Sequence, residues 1–192
     1  MSEHATVETY TEVLGILRGQ LELLGPDQLA NPTPCSEWDA IGLVEHVLGA
    51  MAYYAQLAGG AENVRPVIVE LQPADDLLVR FDTAAAHGIS AWSAPGVLDR
   101  EVRMVLGRMR GRDALAVHIG DLAIHAWDLA TARGATLELP PALAVDVLAT
   151  WEDVFTRLDR GTAFAGEAAI DADTRAGASP TVQLIAYCGR TP

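Results

Sequence analysis

Four residues within positions 117–130, His118, Asp121, His125 and Asp128, have the types and spacing to act together chemically. In a helix, at about 100° per residue, they fall in one arc roughly 80° wide. Asp121 and His125 are four apart, one turn along the same face, where side chains meet. Leu115, Ile119 and Leu122 flank this arc on one side, and Val117, Ile124 and Trp127 on the other. A stripe kept for solvent would be expected to carry Lys, Glu or Arg. This one carries only His and Asp, which are poorer helix formers. Two imidazoles and two carboxylates on one helix suit a divalent metal. A wetted stripe or a hydrogen-bonded seam between helices would use the same residues, and the stretch alone does not choose among the three.

The elements that must position these residues can be read from periodicity and punctuation. Val7, Leu14, Leu17, Leu21 and Leu24 recur at helical spacing, and Gly25-Pro26 stops that helix. A loop follows to Cys35. A second helix is expected from Ser36 as N-cap, with Asp39 three residues on, to about Ala58. Its apolar face holds Leu43, Val44, Val47, Leu48, Met51 and Tyr54, and His46 sits at the border of that face. A third helix is expected to open at Pro73 and fade near His87-Gly88. Pro95-Gly96 marks a turn, and partial alternation over Val97–Leu106 suggests a short extended segment. The one basic cluster, Arg108, Arg110 and Arg112, reads either as a solvated loop or as an anion clamp at a pocket mouth.

The helix carrying the His/Asp stripe is expected over Asp113–Ala132, with Gly134 as its C′ residue. Another amphipathic helix follows Pro140-Pro141. An irregular tail over Asp159–Pro180 and a short helix over Thr181–Cys188 complete the reading. No internal repeat or linker is evident, so a single domain over 1–192 is expected. The fold class is all-α: four principal helices that bury their stripes against one another as a bundle. Bundle sites are built from facing helices, so His46 could lie opposite Asp121 and His125.

Composition narrows the function. Half of the 192 residues are hydrophobic and the formal net charge is -13, which argues against a nucleic-acid or anionic-membrane surface. There is no lysine, so a Schiff-base or P-loop lysine is excluded. Two cysteines, Cys35 and Cys188, are too few for a disulfide framework, and Cys35 is expected to pack as a small hydrophobe. No signal-peptide pattern opens the sequence and no apolar run approaches ~20 residues, so a cytoplasmic, membrane-free setting is the default.

Three motifs in order carry a resemblance. Thr33-Pro34-Cys35-Ser36-Glu37-Trp38 followed by Leu43-Val44-Glu45-His46-Val47-Leu48-Gly49, then His125-Ala126-Trp127-Asp128-Leu129-Ala130, then Leu184-Ile185-Ala186-Tyr187-Cys188-Gly189-Arg190, together resemble the mycothiol-dependent maleylpyruvate isomerase-like proteins of the DinB/YfiT-like superfamily. The last motif is similar to the close of the shorter, single-domain branch. The resemblance implies a DinB-like four-helix bundle with one divalent metal, commonly zinc. Its ligands come from a histidine on the second helix and a pair four apart on a later one: here His46, Asp121 and His125. The isomerase branch usually has glutamate where this chain has Asp121, which is shorter in reach; His118, one turn earlier, is the substitute on the same face.

Three protein ligands leave a metal position open, as in catalytic rather than structural zinc sites. An open zinc can hold an acidified water or keep a thiol as thiolate. The resemblance implies the second use, with mycothiol or a similar small thiol attacking an electrophilic substrate in isomerase or S-transferase-like chemistry. Arg108, Arg110 or Arg112 would hold the thiol's carboxylate, and Asp128 would orient a ligand imidazole. A non-enzymatic metal sensor or partner-binding protein is the alternative, and a fourth protein ligand such as His118 would favour it. Two histidines and a carboxylate also suit non-haem iron; nickel and a homodimeric assembly stay open.

Overall fold

The computed structural model describes residues 5–62, 64–72, 75–104, 107–157 and 177–192. It is mostly helical. The helices are α1 (Val7–Glu22), α2 (Ala40–Ala58), α3 (Leu77–Trp92), α4 (Gly111–Ala132), α5 (Pro141–Arg157) and α6 (Pro180–Tyr187). A two-stranded antiparallel hairpin, β1 (Glu101–Met104) and β2 (Gly107–Arg110), enters α4 directly. The extended segment expected over Val97–Leu106 is thus real but shorter, and the basic stretch read as loop supplies its partner strand. The irregular tail expected over Asp159–Pro180 lies almost wholly outside the described residues.

Helix α1 packs on α3 and α4, and α2 packs on the same two helices from another side. Helix α5 lies on α4, and α6 lies on α5. This makes α4 the most enclosed element, buried along nearly its whole length, including His118, His125 and Asp128. Its close approach to α5 depends on Gly120, where an added Cβ would sit 2.6 Å from the Trp151 indole nitrogen. One hydrophobic cluster runs through the described core from Ala5 and Tyr10 on one end of the chain to Ile185 and Cys188 on the other.

The helix ends follow side-chain chemistry. Thr6 caps α1 by accepting the Thr9 N–H. Helix α2 begins at Asp39, not Ser36: the Asp39 carboxylate accepts the Gly42 N–H at 3.0 Å, and Pro32 and Asp39 form an isolated bridge that keeps 36–38 out of the helix. Asp76 caps α3 by accepting from Leu78 and Val79, so that helix starts four residues after Pro73 and continues past Gly88 to the buried Trp92. Gly134 takes φ 72° after α4, and the 135→130 and 134→131 backbone bonds close a Schellman motif there.

Candidate metal centre

The turn before α2 places the first component. The Thr33 hydroxyl accepts the Cys35 N–H at 3.1 Å and donates to the Trp38 carbonyl at 2.7 Å, while the Trp38 N–H bonds back to the Cys35 carbonyl. This tight loop swings Trp38 over α2, where its indole stacks on the His46 ring with centroids 4.2 Å apart and planes 20° from parallel. On the flank of α2, Glu45 accepts the Leu71 N–H at 2.7 Å and the Val67 carbonyl crosses directly above Gly49. The stacked indole therefore narrows the positions the His46 imidazole can take.

Helix α4 supplies the rest. Asp121 Oδ1 lies 3.4 Å from His125 Nε2 and 3.6 Å from His46 Nε2. One donor atom from each of His46, Asp121 and His125 lies within 4.8 Å of the others. Among the described residues, His46 Nε2 is buried without a hydrogen-bond partner. A tetrahedral ion bonded at ~2.0–2.1 Å separates its ligands by about 3.3 Å, close to the two observed separations. An orphaned imidazole nitrogen aimed at a carboxylate and a second imidazole is the donor set a divalent cation requires. These residues fit such an ion.

The electrostatics fit as well. Burial disfavours a charged His125, but the charges and hydrogen bonds of Asp121 and Asp128 override it and lift the imidazole to about 9. Burial likewise opposes ionisation of Asp121, but His125 and His46 hold its carboxyl well below the usual range. In the metal-free protein a proton on His125 thus takes the charge-balancing place that a cation would take.

Behind His125 stands a second carboxylate. Asp128 is fully buried, and its Oδ2 accepts from His125 Nδ1 at 3.0 Å. Arg190 grips the same carboxylate with two donors, Nε at 3.3 Å and Nη2 at 3.0 Å, and its Nη1 donates to the Cys188 carbonyl at 3.0 Å. Sequence reasoning attached no role to Arg190 or to Trp38. Both stand inside the resemblance motifs, which was the only signal that could have found them.

The other candidates sit elsewhere. His118 is fully buried and is not part of the convergent group. Its ring stacks on Tyr54 with centroids 4.1 Å apart, and its Nε2 faces the Tyr10 hydroxyl at 3.5 Å. Burial pushes its pKa down to about 4, so it is a neutral core imidazole. Arg108 is exposed and paired with Glu101 across the hairpin; Arg110 is exposed; Arg112 lies 3.6 Å from Asp99. Nine residues of α4, roughly 13–14 Å of helix rise, separate Arg112 from Asp121. The structure does not bring these arginines to the triad. Cys35 is buried, and burial raises its thiol pKa.

Fold and site together define a mostly helical protein with a candidate divalent-metal centre of two imidazoles and one carboxylate. The chain belongs to the mycothiol maleylpyruvate isomerase N-terminal domain family, whose model matches residues 11–130. Uncharacterised proteins from two strains of Mycobacterium tuberculosis are each 34% identical to it over 168 residues, 86% of this chain and 86% of the relative. No solved structure matches it significantly. Among the described residues no helix is long and apolar enough to cross a membrane.

Proposed function

We propose that this protein binds one divalent cation, zinc, through His46, Asp121 and His125, and uses it with a low-molecular-weight thiol such as mycothiol in isomerase or S-transferase-like chemistry. The observation that carries the reading is the convergence of three donor atoms from two helices, among them a buried His46 nitrogen without a hydrogen-bond partner. Family membership supports the thiol. When bound, such a cation lowers the pKa of a thiol or a water at its open position.

The chain's own residues set up that chemistry. His46 and His125 offer neutral Nε2 donors, and Asp121 supplies the anion between them. Asp128, held off the convergent group by His125, is not a ligand in this reading. Trp38 stacks over the His46 ring and covers that face of it. Arg108, Arg110 and Arg112 are outside the convergent group and have no ligand role in this reading.

The architecture in this reading is one DinB-like four-helix bundle domain over 1–192, with α5 and α6 added against α4. The mutual packing of α1, α2, α3 and α4 and the single hydrophobic cluster support it. A cytoplasmic setting, where small thiols are kept reduced, suits both the thiol substrate and the buried cysteines. The net charge of -13 speaks for a small-molecule partner and against nucleic acid.

Elemental analysis of protein purified without added metal, followed by cobalt substitution and thiol addition, tests the proposal. Zinc at one equivalent and a thiol-induced change in the cobalt spectrum are expected. Iron at one equivalent would move the reading to non-haem iron chemistry; a bound metal indifferent to thiols would leave the sensor alternative; no stoichiometric metal would overturn the proposal.

A further inference from the structure

A buried ion pair is a poor way to stabilise a fold, because desolvating both charges cancels most of their attraction. Arg190 and Asp128 nevertheless meet with the Arg side chain 3% and the Asp side chain 0% exposed. The hydrogen bonds in the contact are directed. Asp128 Oδ2 receives both Arg190 Nη2 and His125 Nδ1, each at 3.0 Å. Arg190 Nε holds Oδ1, which stops the carboxylate from turning away from the imidazole. Nδ1 of His125 is thereby fixed as the donor to Asp128, so that Nε2, facing Asp121, is the nitrogen that exchanges its proton for a cation. Arg190 also follows α6 by only three residues, and its Nη1 closes on the carbonyl of Cys188 at that helix's end.

We propose that Arg190 is a positioning residue for the metal centre: through Asp128 it fixes the His125 imidazole, and it ties the docking of the C-terminal helix α6 to cation binding. The inference rests on the metal reading given above. Coupling of this kind is reciprocal: whatever α6 docking adds to cation affinity, the cation adds to α6 docking.

Zinc affinity, measured by competition with a chromophoric chelator, should fall ~10–100-fold in Arg190→Gln and in Asp128→Asn. Arg190→Lys keeps the charge but loses the fork, and should recover only part of the loss. In the cobalt-loaded protein the Asp128→Asn d–d bands should shift, a change that a tail merely loosened from the core would not produce. A folded Arg190→Gln protein with wild-type zinc affinity and an unshifted cobalt spectrum would overturn the proposal.

Hydrogen exchange on the wild-type protein decides the matter even if the variants fail to fold. Zinc should slow exchange of the amides from Thr181 to Arg190. Unchanged exchange there, with zinc bound, would overturn the coupling. If the wild-type protein takes up no zinc at all, the metal reading itself fails and this inference falls with it; intact uptake without coupling removes this inference alone.

Discussion

His125 Nδ1 lies 3.0 Å from Asp128 Oδ2, three residues further along α4, and this contact decides which nitrogen of His125 faces the interior of the site. The opposite nitrogen, Nε2, is 3.4 Å from Asp121. One imidazole is thus held between two carboxylates: the outer one orients it, and the inner one shares with it the space for a cation. The i, i+3 and i, i+4 spacings of α4 are what make both contacts available to a single ring.

The imidazoles should be separately indispensable. His46→Ala and His125→Ala are each expected to abolish stoichiometric zinc uptake while leaving helix content by circular dichroism near wild type. His87→Ala, at an exposed position on α3, should change neither. Full zinc uptake by either of the first two variants would remove that residue from the ligand set.

Metal uptake should depend on pH with a definite sign. In the metal-free protein His125 is raised to about 9 by its two carboxylates. A raised folded-state pKa contributes stability that is fully present below about 6.5 and is lost as pH rises through about 9. A cation competes with that proton, so zinc affinity should increase from pH 6.5 to about 9 and then level off. The melting temperature of the metal-free protein should fall over the same interval, and that of the zinc-loaded protein should fall less. Competition titrations and calorimetry across this range check both statements; affinity flat in pH would contradict the assignment of His125.

Gly49 should tolerate nothing larger. A Cβ there would lie 2.2 Å from the Val67 carbonyl oxygen, a backbone atom that cannot rotate aside. Gly49→Ala should cost about 1–3 kcal/mol in urea unfolding, in the range of overpacked cores. Because His46 lies one turn away on the same helix, a shift of α2 to relieve that clash should lower zinc affinity as well. Wild-type stability would mean that the segment moves freely.

Trp38 should report on the site. Its indole stacks on His46 at 4.2 Å and meets the His125 ring edge-on at 6.0 Å. Trp38→Ala should weaken zinc binding by about 0.5–1.5 kcal/mol, the scale of one aromatic contact, and Trp38→Phe should restore most of it. Cobalt should quench tryptophan fluorescence in the wild type more than in Trp38→Phe. Equal quenching would place the ion away from this ring.

The His/Asp face of α4 was legible because 3.6-residue periodicity is a property of sequence alone, and Asp121 and His125 needed no tertiary information to be paired. His46 was legible only as a border residue, since a helix wheel cannot say which neighbour it will meet. His118 shares the α4 arc, yet its ring fills a slot between Tyr10 and Tyr54, a choice made by packing against α1 and α2. The sequence placed the N-cap of α2 at Ser36 with Asp39 in its first turn, whereas the chain turns at Thr33, pairs Pro32 with Asp39 and caps the helix with Asp39 itself. Strand β2 has no apolar alternation to announce it, with Arg108 and Arg110 exposed; backbone pairing to β1 makes it a strand. Arg190 carried no signal beyond its place in the last of the resemblance motifs. Its burial and its grip on Asp128 exist only because α6 returns across 62 residues of chain to that carboxylate.

The central claim is that imidazoles from α2 and α4 bind one ion with Asp121 between them. Zinc K-edge X-ray absorption on the zinc-loaded protein tests it most directly. The account predicts two imidazole nitrogens and oxygen donors at ~2.0–2.1 Å in the wild-type protein. A spectrum with fewer than two imidazoles, or with a sulfur at ~2.3 Å contributed by Cys35 or Cys188, would contradict it.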